Sequence, residues 1–127
     1  MNVEHVDFVS FLTQDIWRAK RFYGDTLGLE IETEGENDME FRAGQVTLDI
    51  FFGESVGQPF APSPAGIALR VPDVAAARAE LEAKGVEFDG ETIDTGVCHM
   101  AFFKDPDGNS LIIHRRYAPV EGARDGA

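Results

Sequence analysis

Five polar side chains stand inside otherwise apolar, strand-like stretches of the chain: Ser10, Asp49, Arg70, Ser110 and His114. A carboxylate or an imidazole in such a place can transfer protons near neutral pH, and a guanidinium can bind a carboxylate or a phosphate. Asp49 lies in the middle of the apolar run 46–52, where an unpaired carboxylate is costly. We therefore expect Arg70 or His114 to neutralise it, which leaves a structural pair and a functional acid equally open.

We predict structural roles for two other residues with reactive side chains, Cys98 and His99. Cys98 is the only cysteine, so the chain cannot form an intrachain disulfide or a cysteine-based zinc site. No base stands beside it in sequence, and we interpret it as a small buried hydrophobe. His99 alternates with Cys98 and Met100, which predicts a packing or surface role. Phosphate-binding loops, nucleophile elbows and zinc motifs are absent from the sequence.

Length and charge limit the class of protein. The 127 residues are enough for one domain or two half-domains that share a core. A net charge of −12 disfavours nucleic acid and anionic membranes as partners. We see no basic-then-apolar leader and no apolar run near the ~18–20 residues that cross a bilayer. Together with the single cysteine, this predicts a cytoplasmic protein.

Two similar sets of elements must position the polar candidates. The first comprises a strand over 3–12, a helix capped by Asp15, and strands over 30–34, 39–43 and 46–52. The second comprises a strand over 66–71, a helix from Asp73 to Lys84, and strands over 86–88, 97–103 and 110–115. Trp17, Phe22 and Tyr23 follow one another at helical spacing, which is typical of a core or an interface.

The two sets form an internal repeat, since the helix-capping aspartates are 58 residues apart and Ala19 and Ala77 keep the same offset. We predict an α+β fold of two tandem βαβββ modules that form a curved sheet around a cleft. The single domain spans 1–117, with module one at 1–56, a linker at 57–65 and module two at 66–117. Residues 118–127 are predicted to be a flexible tail.

Two motifs carry a resemblance to the vicinal oxygen chelate superfamily, which includes glyoxalase I, bleomycin-resistance proteins and extradiol dioxygenases. One is Asp15-Ile16 followed by the segment 21–29, and the other is Phe103-Lys104-Asp105-Pro106-Asp107-Gly108-Asn109. The resemblance covers residues 3–116. It implies the fold, a cleft and a homodimer, for which an apolar helix stripe or Phe60 would suit the contact.

The resemblance also implies a divalent metal, but three of its expected ligand positions hold unsuitable residues. The positions that would carry two histidines and a glutamate are Phe8, Gly66 and Ile112 here, and Asp49 alone keeps an acid at a fitting place. These three residues offer no ligand atom to a cation. We expect no metal and no other cofactor.

Strand alternation predicts which neighbours of those positions line the cleft. The predicted catalytic residues are His114 and Asp49, and the predicted ligand-binding residues are Phe8, Ser10, Phe51, Arg70, Met100, Phe102, Ser110 and Ile112. Such a mostly apolar lining with a few polar groups is typical of a small-molecule pocket.

Three functions follow from this lining. The first is a metal-free binder of a small organic molecule. The second is a metal-free enzyme with His114 as general base and Arg70 as anion clamp. The third is a lyase or dioxygenase with a rearranged metal site around Asp49 and His114.

Overall fold

The computed structural model describes residues 1–120, in which the strands pair into two four-stranded sheets. One unit comprises Met1–Pro64 with Asp105–Asn109, and the other comprises Ala65–Lys104 with the described residues from Ser110 onward. Within residues 1–120, no helix has the length and hydropathy that crossing a membrane requires. Of the tail predicted at 118–127, residues 121–127 lie outside the described part.

The first unit has four strands, one α-helix and two short helical turns. Its elements are β1 (Phe8–Leu12), α1 (Ile16–Lys20), a π-helical turn (Arg21–Thr26), β2 (Glu30–Glu34), β3 (Asp38–Ala43), β4 (Val46–Phe51) and a 3-10 turn (Gly53–Val56). The strand order is β1-β4-β3-β2, with β1 parallel to β4 and the other pairs antiparallel.

The second unit repeats this order of elements. They are β5 (Ile67–Arg70), α2 (Val74–Ala83), β6 (Ile93–Asp94), β7 (Cys98–Lys104) and β8 (Ser110–Arg116). The strand order is β5-β8-β7-β6, with β5 parallel to β8. The prediction of an α+β fold with two βαβββ modules is therefore confirmed.

Both helices begin where the sequence predicts. The side chain of Asp15 accepts a hydrogen bond from the Arg18 amide at 3.0 Å, and Asp73 accepts one from the Ala76 amide at 3.0 Å. Each aspartate satisfies an amide that the first helical turn leaves without a carbonyl partner. The matched caps explain why the helices start at equivalent points of the two units.

Each helix covers one face of its own sheet, and that face is apolar. In the first unit Phe11, Met39, Phe41, Leu48 and Ile50 are buried on the side that α1 contacts. In the second unit the corresponding buried residues are Ala101, Phe103, Leu111 and Ile113, which lie under α2. Because side chains alternate along a strand, the remaining residues of each sheet point to the face that its helix does not cover.

Two strand predictions were wrong in detail. The first strand begins at Phe8, and Val3 and Val6 before it are exposed. Residues 86–88 form no strand: Phe88 makes a single bridge to Phe103, and the fourth strand of the second sheet is Ile93–Asp94. The ring of Phe88 packs on that of Phe103, with centroids 5.1 Å apart. This loop contact explains why an apolar residue stands at position 88 although it belongs to no strand.

Candidate functional site

The helix-free face of the first sheet, which we call the open face, carries Asp49. Ser10 lies directly beside Asp49 on β1, and Glu40 lies directly beside it on β3. Phe8 and Phe51 share the face, and the Phe8 side chain is 57% exposed. The prediction that Phe8, Ser10, Asp49 and Phe51 share one face agrees with this register.

Asp49 is a half-buried carboxylate with one satisfied oxygen. Its Oδ2 accepts a hydrogen bond from the Ser10 hydroxyl at 3.1 Å. Its Oδ1 is buried and receives no hydrogen bond from any described residue. A buried acceptor without a donor costs free energy, which a donor that reached this oxygen would lower.

The surroundings of Asp49 favour its protonated form. Burial raises the pKa of Asp49 to about 6, and the nearby carboxylates of Asp38 and Glu40 add to the increase. The Ser10 hydroxyl acts in the opposite direction because it stabilises the anion. Asp38 lies within hydrogen-bonding reach, so a protonated Asp49 can donate to it. The group can therefore exchange a proton close to neutral pH.

Sequence reasoning missed Asp38 and Glu40. They alternate with the buried residues Met39 and Phe41 on β3, which places them on the open face. The short turn between β3 and β4 sets the register, and counting back from it would have paired Glu40 with Asp49.

The rest of the open face is held by polar contacts between strands. Thr47 donates a hydrogen bond to Glu32 at 2.7 Å, and Arg42 forms an ion pair with the same carboxylate at 2.9 Å. Thr33 donates a hydrogen bond to Glu40. These contacts involve β2, β3 and β4 and fix the acidic side chains around Asp49.

The second sheet has its own helix-free face, which carries the other predicted residues. His114 on β8 lies beside Arg70 on β5 and beside Met100 on β7. One step along the strands, Ile112 lies beside Phe102, and Ser110 follows opposite Lys104. The structure thus places all six predicted ligand-binding or catalytic residues of this unit on one face of its sheet.

Cys98 and His99 occupy the kinds of place that the sequence predicts. Cys98 is buried at 6% exposure, and its Sγ lies 3.1 Å from the Thr95 hydroxyl. His99 lies at the surface, 3.4 Å from Asp94, and its ring packs on Tyr117 with centroids 4.9 Å apart. His99 lies on the opposite face from His114 and Arg70, whereas Cys98, two residues before Met100 on β7, alternates onto their face.

The positions at which the resemblance implies a metal do not fit one. The side chains of Phe8 and Ile112 offer no lone pair to a cation. Gly66 adopts a φ of +75°, a backbone conformation that residues other than glycine rarely adopt. A Cβ at Gly66 would lie 3.3 Å from Cδ1 of Ile112. Within residues 1–120, no group of three or more His, Cys, Asp or Glu side chains is placed to hold a metal ion.

The turn Asp105–Asn109 belongs to the first unit, where it forms a buried polar cluster. The Tyr23 hydroxyl donates to Asp105 at 2.6 Å, and the Asn109 amide donates to Asp105 at 2.8 Å and to the Leu12 carbonyl at 2.9 Å. Burial and the adjacent Asp105 carboxylate raise the pKa of the Tyr23 hydroxyl. The tyrosine therefore stays protonated and acts as a structural donor.

Asp107 extends this cluster to the start of α1. It accepts hydrogen bonds from the Thr13 hydroxyl at 2.6 Å and the Gln14 amide at 2.9 Å, and it forms an ion pair with Arg18 at 2.6 Å. Its side chain is 1% exposed. The two sequence motifs thus contact each other and hold the scaffold of the first unit.

The chain matches the family model described as Glyoxalase/Bleomycin resistance protein/Dioxygenase superfamily over residues 4–113. It therefore belongs to this superfamily, as the two βαβββ units and the two interlocking motifs indicate. Among curated proteins none matches the chain.

Solved structures agree with this assignment. Lactoylglutathione lyase from Agrobacterium tumefaciens superposes with a TM-score of 0.76 at 18% identity, covering 89% of this chain and 94% of that one, which supports the fold alone. TnmS3, an antibiotic binding protein from Streptomyces sp. CB03234, gives a TM-score of 0.73 at 28% identity, with coverage of 89% and 96%. A glyoxalase/bleomycin resistance protein from the same Streptomyces strain gives 0.70 at 27% identity, with coverage of 86% and 98%.

Proposed function

We propose that the protein binds a small organic molecule on the open face of its first sheet, and that it does so without the metal of its superfamily. The observation that carries the proposal is Asp49 Oδ1, a buried acceptor that no described residue satisfies. A ligand N–H or O–H group would supply the missing hydrogen bond. The exposed ring of Phe8 offers an apolar surface on the same face.

The charge of the face favours a ligand that carries a donor or a positive charge. With a pKa of about 6, Asp49 is mostly ionised at pH 7.5. A cationic amine would relieve the repulsion among Asp49, Asp38 and Glu40, since an opposite charge within a few ångströms stabilises a carboxylate. Hydrogen bonds to charged groups stabilise a complex by about 1.5–3 kcal/mol.

Two further observations support a metal-free binder. TnmS3, at 28% identity, is described as an antibiotic binding protein, which favours a binding role for this chain. The residues at Phe8, Gly66 and Ile112 lack the lone pairs that a divalent cation needs.

Thermal shift with bleomycin and a panel of aromatic amines tests this proposal. A ligand at a hundredfold excess over its Kd should stabilise the protein by about 2.7 kcal/mol. Asp49→Asn and Phe8→Ala should each weaken the effect at least tenfold in apparent Kd, whereas Glu87→Gln, at an exposed carboxylate of the second unit, should leave it unchanged. Equal stabilisation of all four proteins would contradict binding at this face.

A second candidate is an enzyme of the lyase or dioxygenase type, with Asp49 and His114 as catalytic residues. The pKa of about 6 at Asp49 favours it, because general acid–base groups work best near the operating pH. In this case Arg70 would bind an anionic group of the substrate. A turnover that persists in chelator and disappears in His114→Ala would support the metal-free form, and retention of stoichiometric Zn, Ni, Mn or Fe in purified protein would support the metal-dependent form.

We also propose that the protein is a cytoplasmic homodimer that binds neither nucleic acid nor membrane. The superfamily resemblance favours the dimer, and the net charge of −12 disfavours polyanionic partners. Sedimentation velocity across a hundredfold range of protein concentration measures the oligomeric state directly. A single monomeric species over the whole range would refute the dimer.

A further inference from the structure

The helix-free face of the second sheet, which we call the second face, carries a row of four side chains that crosses all four strands. Ile93 on β6 lies opposite Met100 on β7, and Met100 lies opposite His114 on β8. His114 in turn lies beside Arg70 on β5. Because residues paired across neighbouring strands point to the same face of a sheet, the row runs from two apolar side chains to an imidazole and a guanidinium.

A second row, next to the first, is wholly apolar. Phe102 on β7 lies opposite Ile112 on β8, and Ile112 lies beside Ala68 on β5. Phe102 and Ile112 are half-buried, and Ile93 in the first row is 45% exposed. An apolar molecule placed over these side chains would remove their exposed surface from water, which is favourable.

The charge of the second face is opposite to that of the whole chain. The chain has a net charge of −12, yet none of the positions on β5–β8 that share this face holds an aspartate or a glutamate. The same positions hold Arg70, Lys104, His114 and Arg116. Lys104 forms an ion pair with Asp89 at 2.9 Å, and the Arg116 guanidinium donates to backbone carbonyls that follow β8 at 2.9 Å and 3.2 Å. A local excess of positive charge in an acidic chain favours an anion at this place.

Arg70 and His114 have complementary means of binding one carboxylate. A guanidinium offers a planar fork of N–H groups that matches the two oxygens of a carboxylate, and an imidazole offers a ring N–H. Neighbouring strands lie about 4.8 Å apart, so both side chains can reach the same group. The Arg70 side chain is exposed and that of His114 is half-buried. A singly charged carboxylate fits this place better than a doubly charged phosphate, because the acidic chain repels the second charge.

We propose that the second face binds an organic carboxylate with an apolar body. The carboxylate lies between Arg70 and His114, and the apolar body lies over Met100 and Ile93. The row spans three strand spacings, or about 14 Å, which accommodates an elongated molecule with its charge at one end. This inference is independent of the ligand proposed for the open face of the first sheet, which carries a donor or a positive charge, so either proposal can fail without the other.

Titration with cinnamate at constant pH, followed by NMR of the histidine rings, tests the inference. The chain has three histidines, and His5 and His99 serve as internal controls because His5 precedes β1 and His99 points to the other face of the second sheet. We expect the ring signals of His114 to shift as cinnamate is added, and those of the other two to stay in place. An unchanged His114 signal, or equal shifts of all three histidines, would refute binding at this face.

Two further probes separate the charge from the apolar contact. Cinnamamide keeps the apolar body of cinnamate without its charge, and inorganic phosphate carries charge without an apolar body. We expect cinnamate to bind at least tenfold more tightly than either. An equal affinity for cinnamamide would refute the anion site, and an equal affinity for phosphate would refute the apolar contact.

Substitutions on β5 and β8 test the two polar groups. Arg70→Gln and His114→Gln should each raise the Kd of cinnamate at least tenfold. Arg70→Lys keeps the charge but loses the planar fork, so its Kd should lie between those of the parent and Arg70→Gln. Arg115→Gln is the matched control, since it removes a cation from the neighbouring position of β8, which lies opposite His99 on the other face. It should leave the Kd within twofold of the parent value.

An exposed apolar position keeps the test decisive if the Arg70 variants do not fold. Ile93→Ser should raise the Kd of cinnamate at least threefold, because it removes apolar surface at the end of the row that the ligand body covers. Val56→Ser changes an apolar residue of the first unit that is 71% exposed, and it should have no effect. Equal affinities of the parent, Ile93→Ser and His114→Gln would overturn the inference, and so would an equal loss in Arg115→Gln and Arg70→Gln, which would assign the effect to net charge alone.

Discussion

The raised pKa of Asp49 on the open face should make the stability of the protein depend on pH, and the substitution Asp49→Asn should remove this dependence. Asp49 lies beside Asp38 and Glu40, and only one of its oxygens has a donor. Asp49→Asn keeps the size of the side chain but removes its charge. The asparagine amide can still donate to Asp38, as the protonated acid does.

The direction in which stability changes with pH follows from the pKa values of Asp49 in the unfolded and folded states. Its pKa is 3.8 in the unfolded chain and about 6 in the folded protein, so folding takes up a proton between these values. The stability that Asp49 contributes is therefore fully present below pH 3.8 and is lost as the pH rises through about 6. At pH 7.5 the parent protein carries a penalty that Asp49→Asn avoids.

The magnitude follows from the size of the shift. A shift of about two pKa units corresponds to ~3 kcal/mol. Solvent reaches part of the carboxylate and screens it, which reduces the expected effect to about 1–2 kcal/mol. For a domain of this length, that stabilisation raises the melting temperature by about 3–8 °C.

Thermal unfolding of the two proteins at pH 4 and pH 7.5 provides the test. We expect Asp49→Asn to be more stable than the parent at pH 7.5 and nearly equal to it at pH 4. Glu87→Gln controls for the loss of one negative charge and should show no such difference between the two pH values. Equal stability of Asp49→Asn and the parent at pH 7.5 would refute the burial and repulsion that we assign to this carboxylate.

Three further substitutions test other parts of the structure. Tyr23→Phe should destabilise the protein by about 1–3 kcal/mol in urea unfolding, because it removes a buried hydrogen bond to a carboxylate. Tyr117→Phe, whose hydrogen bond to Asp94 is exposed to solvent, should leave the unfolding midpoint nearly unchanged. Gly66→Ala should lower the free energy of unfolding by about 1 kcal/mol or more, and by more than Gly57→Ala does. Both glycines have a positive φ, but only at Gly66 would a new Cβ lie close to a neighbouring side chain. Ser10→Ala should raise the pKa of Asp49 above about 6 in a carboxyl NMR titration, and a lower value would contradict the assigned hydrogen bond.

Local signals in the sequence were sufficient for most of the fold. The helix starts are set by Asp15 and Asp73, whose side chains bond to amides three residues later. Alternation along β4 and β8 was enough to separate buried residues such as Leu48 and Leu111 from the residues on the helix-free faces of the two sheets. These features depend only on neighbours in the chain, which is why their spacing revealed them.

The features that sequence reasoning missed depend on pairing between strands. Glu40 reaches Asp49 through the register of β3 with β4, which the short turn between these strands sets and which no pattern within β3 alone states. Phe88 has the composition of a strand residue but makes one bridge, while the strand is formed by the short segment Ile93–Asp94. The sequence led us to expect a cation, Arg70 or His114, as the partner of Asp49. Within the first unit, the group that donates a hydrogen bond to Asp49 is the Ser10 hydroxyl.

Within the first unit, the residues that identify the superfamily and the residues that would contact a ligand lie on opposite sides of one sheet. Tyr23 packs on Phe41, with ring centroids 5.6 Å apart, and bonds to Asp105 on the helix side. Glu40, the neighbour of Phe41 in sequence, points to the open face beside Asp49. Because the two sets lie on opposite faces of the sheet, the open face can change while the motifs persist. Membership of the superfamily therefore constrains the scaffold strongly and the ligand weakly.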